Sequence, residues 1–161
     1  MKKIIFLITI FYSVSTLPQE KIGRFKNDLK KTLSTVKEVI PIVNAKNNDI
    51  AVFIADAKNV YGYKLNEKFD VISKITSEEK RRKYKTLLGY AIPNEDNYKI
   101  VLTNKNENKY LIVDFHFSQK DATIKEFVLE DTNEKIVQTL SVNNKFYLIT
   151  AKPFNAYIGQ N

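Results

Sequence analysis

The sequence predicts a mainly β protein made of antiparallel four-strand units that repeat about every 48 residues. Three observations carry this. Short runs rich in β-branched and aromatic residues follow one another, bounded by clusters of Asn, Asp, Pro and Lys. The runs recur at a fixed spacing. An Asn-x-Tyr triplet recurs in phase with them.

The clearest unit lies in the middle of the chain. Its runs are Leu87 to Ile92, Tyr98 to Thr103, Tyr110 to Phe117 and Thr123 to Leu129. The connections between them are short, so neighbours should pair antiparallel as a meander. The first run has counterparts at Val39 to Val43 (87 − 39 = 48) and Ile136 to Leu140 (136 − 87 = 49). The second has counterparts at Ile50 to Ile54 (98 − 50 = 48) and Phe146 to Thr150 (146 − 98 = 48). The third opens on Asn59-Val60-Tyr61, Asn108-Lys109-Tyr110 and Asn155-Ala156-Tyr157. The fourth has one counterpart, Phe69 to Ile75.

The units divide as 39–86, 87–135 and a third, truncated one at 136–161. Four strands at this period are how a propeller blade reads in sequence. The expected fold is therefore incomplete and β-propeller-like. Closing a propeller takes about four to eight blades. The expectation is then a fragment of a longer protein, a ring closed by several chains, or the alternative fold: α+β, with one helix on a curved antiparallel sheet or sandwich.

Residues 1–15 read as a secretory signal peptide. Lys2 and Lys3 form a basic start, Ile4 to Tyr12 an apolar stretch, and Ser13-Val14-Ser15 supplies small residues for cleavage. The apolar stretch is short of the roughly 20 residues a membrane-spanning helix needs. The expected location is outside the cytoplasm: periplasm, cell envelope or medium. With no Cys there are no disulfides and no thiolate metal ligands.

Residues 16–38 form the lead-in. Ile22, Phe25, Leu29, Leu33, Val36 and Ile40 step by three and four, which predicts an amphipathic helix from Glu20 to about Lys37, ending before Pro41. Its apolar stripe should pack on the first unit, because a sheet edge needs covering.

Thr76 to Lys85 holds two of the three arginines. Thr76 and Glu79 fit a capping box, so a short helix is expected there. Lys80, Arg81, Arg82 and Lys83 form the candidate site for an anionic partner. The formal charge of +8 falls to +6 once Lys2 and Lys3 are removed, which is short of a nucleic-acid footprint.

His116 is the only histidine, and it stands in Asp114-Phe115-His116-Phe117-Ser118. On a strand, Asp114, His116 and Ser118 share one face, and Phe115 and Phe117 the other. Same-face neighbours are about 6.6 Å apart along a strand, too far for a hydrolytic triad. The expected role is a polar face backed by a Phe-packed core. Tyr61, Tyr110 and Tyr157 recur at the start of the third run and form the candidate aromatic surface. No P-loop, GxGxxG, HExxH, EF-hand or GxSxG is present. No cofactor and no metal are expected, and the residues point away from an enzyme.

The four-run unit with its Asn-x-Tyr third strand, and Lys145-Phe146-Tyr147-Leu148-Ile149-Thr150, resemble blades of exported Bacteroidetes-type β-propeller proteins of uncharacterised function. The resemblance covers 39–161. The kelch Gly-Gly pair and the WD dipeptide are absent. It implies an exported binding or scaffold module whose partner is a protein, a glycan or further blades. The alternatives are part of a propeller-type hydrolase or lactonase, and a self-contained envelope protein that binds an apolar ligand.

Overall fold

Ten strands follow one another from Glu38 to Ala151, each antiparallel to the strand it pairs with, and no helix occurs among the described residues. The computed structural model describes residues 38–104, 109–131 and 133–152, with Arg24, Lys26 and Leu29 from the lead-in. The helix expected over residues 20–37 otherwise lies outside the described residues.

Sheet 1 is the meander β1 (Glu38–Val43), β2 (Ile50–Ala55), β3 (Val60–Leu65) and β4 (Val71–Thr76). Sheet 2 is the meander β5 (Thr86–Asn94), β6 (Asn97–Thr103), β7 (Lys109–His116) and β8 (Asp121–Val128). A hairpin of β9 (Lys135–Val142) and β10 (Lys145–Ala151) follows. Glu38, Thr86 and Lys135 open these groups 48 and 49 residues apart (86 − 38, 135 − 86).

Local chemistry explains the turns. Asn143 and Asn144 both have positive φ, 50° and 63°, and form the two-residue loop between β9 and β10. That is a type I′ hairpin loop, whose twist matches the strands and which Asn tolerates. In the β2–β3 turn, Asp56 Oδ1 accepts the N–H of Lys58 and of Asn59, both at 2.7 Å. Pro41, expected to follow the lead-in helix, sits in β1. Among the described residues β1 is an edge strand, where a missing N–H costs little.

The core lies between the two sheets. Because register partners share a face, Ile40, Phe53, Gly62 and Ile75 line one face of sheet 1. Tyr98, Ile100, Leu102, Leu111, Val113, Phe115 and Ala122 line the opposing face of sheet 2. Phe53 stands 4.9 Å from Phe115 and 5.6 Å from Tyr98, ring centre to ring centre. Tilted rings at this separation attract beyond the area they bury. A Cβ on Gly62 would meet Phe53 Cε1 at 2.9 Å and Phe115 Cδ1 at 3.1 Å, so the close approach of the sheets needs glycine.

The far face of sheet 1 has its own cluster, Ile54, Tyr61, Tyr63 and Leu65, and Leu29 of the lead-in packs against it. The hairpin sits on the far side of sheet 2, at β5. Thr139 Oγ1 donates to Leu88 O at 2.6 Å, and Ser141 Oγ both accepts from Tyr90 N and donates to Tyr90 O. These hydroxyls satisfy backbone groups on the edge of β5 that β6 does not reach.

The helix expected at the Thr76–Glu79 box does not form; residues 77–85 are irregular apart from a turn at 82–83. Thr76 ends β4 opposite Tyr61, and the residues after it are used otherwise. Ser77 extends the sheet, donating its N–H to Val60 O and accepting Val60 N at Oγ. The Glu79 carboxylate pairs with Lys58 at 3.0 Å instead of reaching back to a helix start.

Candidate binding surface

The structure separates the four cations of the run. Lys80 is buried at 4% exposure. Its Nζ donates to the backbone carbonyls of Asp56 (2.8 Å), Ala57 (3.2 Å) and Tyr84 (3.0 Å). Burial pushes its pKa down to about 8, with the charge of Asp56 pulling the other way. Lys80 therefore ties the irregular crossover to the β2–β3 turn, with its ammonium turned onto these carbonyls. Arg81 and Lys83 both lie near Glu126 of β8, at 3.8 and 3.9 Å. Surface pairs of that length hold little energy. Arg82 is exposed.

Of the expected aromatic surface, Tyr61 and Tyr110 do not come together. Tyr61 is in register with Ile54, on the face of sheet 1 turned from the shared core. Its hydroxyl donates to Asp56 Oδ2 at 3.1 Å, and the residue is 5% exposed. Tyr110 is in register with Thr103 and Phe127, on the far face of sheet 2. It stacks on Phe127 with ring centres 5.2 Å apart. The two rings lie on opposite sides of the two-sheet body, Tyr61 buried in its own cluster. Tyr157 lies outside the described residues.

The polar face at His116 is organised around Asp114. Lys99 Nζ lies 2.9 Å from Asp114 Oδ2, and His116 Nε2 lies 3.5 Å from Oδ1, beyond good hydrogen-bond reach. Phe115 and Phe117 are buried behind it, and Ser118 is exposed in the turn after β7. A second ionic tie joins the sheets at the turn end. Lys64 Nζ meets Asp49 Oδ2 at 2.7 Å and Asp96 Oδ1 at 2.8 Å. Burial opposes its charge, but the bonds and attraction of the two carboxylates outweigh that and raise its pKa. No group of three or more His, Cys, Asp or Glu side chains suited to a metal ion occurs among the described residues.

What the structure adds is an apolar surface on the hairpin. Five of the ten exposed large apolar side chains among the described residues are on β9 and β10: Val137, Leu140, Val142, Tyr147 and Ile149. Leu140 and Tyr147 are register partners, and Val142 and Ile149 flank them on the same face. Phe146 and Leu148 occupy the other face, where a Cβ on Gly89 would meet Phe146 Cε2 at 2.9 Å and Ser141 Oγ at 2.7 Å. The signal was present in Phe146-Tyr147-Leu148-Ile149, an unbroken apolar run. Such runs belong to strands buried on both faces, and here one face is open.

Comparison with protein-family models, with curated proteins and with solved structures found no match. No helix among the described residues is long and apolar enough to cross a membrane.

Proposed function

We propose that the chain is an exported, non-catalytic binding or scaffold module built from propeller-type units, and that it works through the outer face of the β9–β10 hairpin. The observation that carries this is the concentration of Leu140, Val142, Tyr147 and Ile149 on one exposed face. Contiguous apolar surface of this kind marks an interaction site. Two further observations support it. Two lysines withdrawn from solvent are spent on holding the fold: Lys80 on three carbonyls, and Lys64 between two turns. The basic and apolar start of the sequence supports export. The partner is a protein or a glycan.

Binding of an apolar fluorescent dye tests the reading. Wild-type chain is expected to bind the dye, and the double variant Leu140→Glu, Tyr147→Glu to lose most of that signal while melting within a few degrees of wild type. A silent wild type, or an equal signal in both, overturns the proposal.

A further inference from the structure

We infer that the edge of β10 left unpaired among the described residues accepts one extended strand of a partner polypeptide, adding to the hairpin as β3 adds to β2 and β7 adds to β6. This rests on the binding reading above and names the partner's form. The argument starts from the second strand of each group. β2 reads IAVFIA and β6 reads NYKIVLT; both are flanked by a strand on each edge and are largely buried on both faces. β10 reads KFYLITA, equally apolar on both faces, yet among the described residues it pairs with β9 alone. Its exposure alternates, with Tyr147 at 49% and Ile149 at 47%.

The backbone says what kind of group fits there. The two-residue loop makes Val142 and Lys145 a hydrogen-bonded pair, so Leu140 and Tyr147 form the next one. Phe146 and Leu148 then turn their N–H and C=O groups to the open side. A row of alternating donors and acceptors is matched by another extended backbone, and a sugar or lipid cannot repeat that spacing.

The seat is continuous with an interface the chain already uses. Gly62 lets sheet 1 close on Phe115, and Gly89 lets sheet 2 close on Ser141 and Phe146. The hairpin is held there as the opening pair of a sheet, with its second strand presented outward. The partner segment carries apolar side chains at alternate positions, to continue the rows of Phe146 and Leu148 on one face and of Tyr147 and Ile149 on the other.

Amide hydrogen exchange of the full chain tests this, with a synthetic peptide copying Asn59–Thr76 as probe, since that segment holds the strands which follow β2. The peptide is expected to slow exchange at Phe146 and Leu148 by about tenfold or more, and a scrambled peptide to leave it unchanged. No slowing with either peptide overturns the inference. Binding that depends on Leu140 and Tyr147 but leaves those two amides unprotected also overturns it, while the apolar-surface reading stands. Amides already protected without peptide, and exposed in a chain ending at Lys152, assign the edge to residues 153–161 and overturn it as well.

Discussion

β6 and β10 hold the same place in their groups, and their sequences are alike in apolar content, but their surroundings are opposite. β6 has β5 and β7 on its edges, and Tyr98, Ile100, Val101 and Leu102 are at most 1% exposed. β10 has β9 on one edge, and every second side chain faces outward. Strand propensity is therefore not what separates the enclosed body from the exposed face of the hairpin. Neighbours do that, because the same isoleucine stabilises only where packing removes it from water.

The largest expected effect follows directly. Ile100→Ala removes a fully buried side chain and should cost about 3 kcal/mol. Ile149→Ala, the same truncation on the outward face of β10, should cost less than about 1 kcal/mol. Urea unfolding of the two variants measures both, and equal losses would remove the distinction.

The two glycine contacts give the next comparison. Gly62→Ala crowds Phe53 and Phe115, and Gly89→Ala crowds Ser141 and Phe146. Each should cost about 1–3 kcal/mol. The first should lower the melting temperature of the whole body. The second should speed amide exchange in β9 and β10 while leaving β6 slow. If Gly89→Ala loosened β6 equally, the hairpin would be part of one cooperative unit with the sheets.

The smallest effect is a pH dependence confined to the body. Lys80 has its pKa lowered from 10.5 to about 8 in the fold. Below about pH 8 the folded and unfolded chains both carry its charge, and the cost of burying that charge is present in full. Between about pH 8 and 10.5 the unfolded chain holds the proton more tightly than the folded one, so this group makes stability rise with pH. Lys64, whose pKa is raised, contributes stability that is present below 10.5 and lost only as pH climbs past its folded value. Wild type should therefore gain on the order of 1–2 kcal/mol relative to Lys80→Met between pH 7.5 and 10. A constant difference across that range would show that the three carbonyls keep the ammonium charged.

The β character of the chain was legible because Val, Ile, Tyr and Phe runs between Asn and Asp turns leave few other solutions. Asn143-Asn144 even announces its loop type, since both residues tolerate positive φ. The candidate sites were much less legible. In Glu-Glu-Lys-Arg-Arg-Lys, nothing local distinguishes Lys80 from its neighbours. Its burial depends on carbonyls from Asp56, Ala57 and Tyr84 converging on one point. The Thr76–Glu79 box looked like a helix start because capping is a local pattern, whereas the ladder partner of Ser77 is 17 residues away at Val60. Tyr61 and Tyr110 each close an Asn-x-Tyr triplet but lie on opposite sides of the body, since facing direction depends on which sheet face packs inward.

Composition and spacing were enough to establish an antiparallel β chain with a recurring group of strands, because short-range turn chemistry and side-chain type set those features. Which side chains are enclosed, which cations are tied to carbonyls and which strand shows an open apolar face came from the folded arrangement alone. Burial is a property of neighbours brought together from distant parts of the chain, and β10 differs from β6 in those neighbours far more than in its residues.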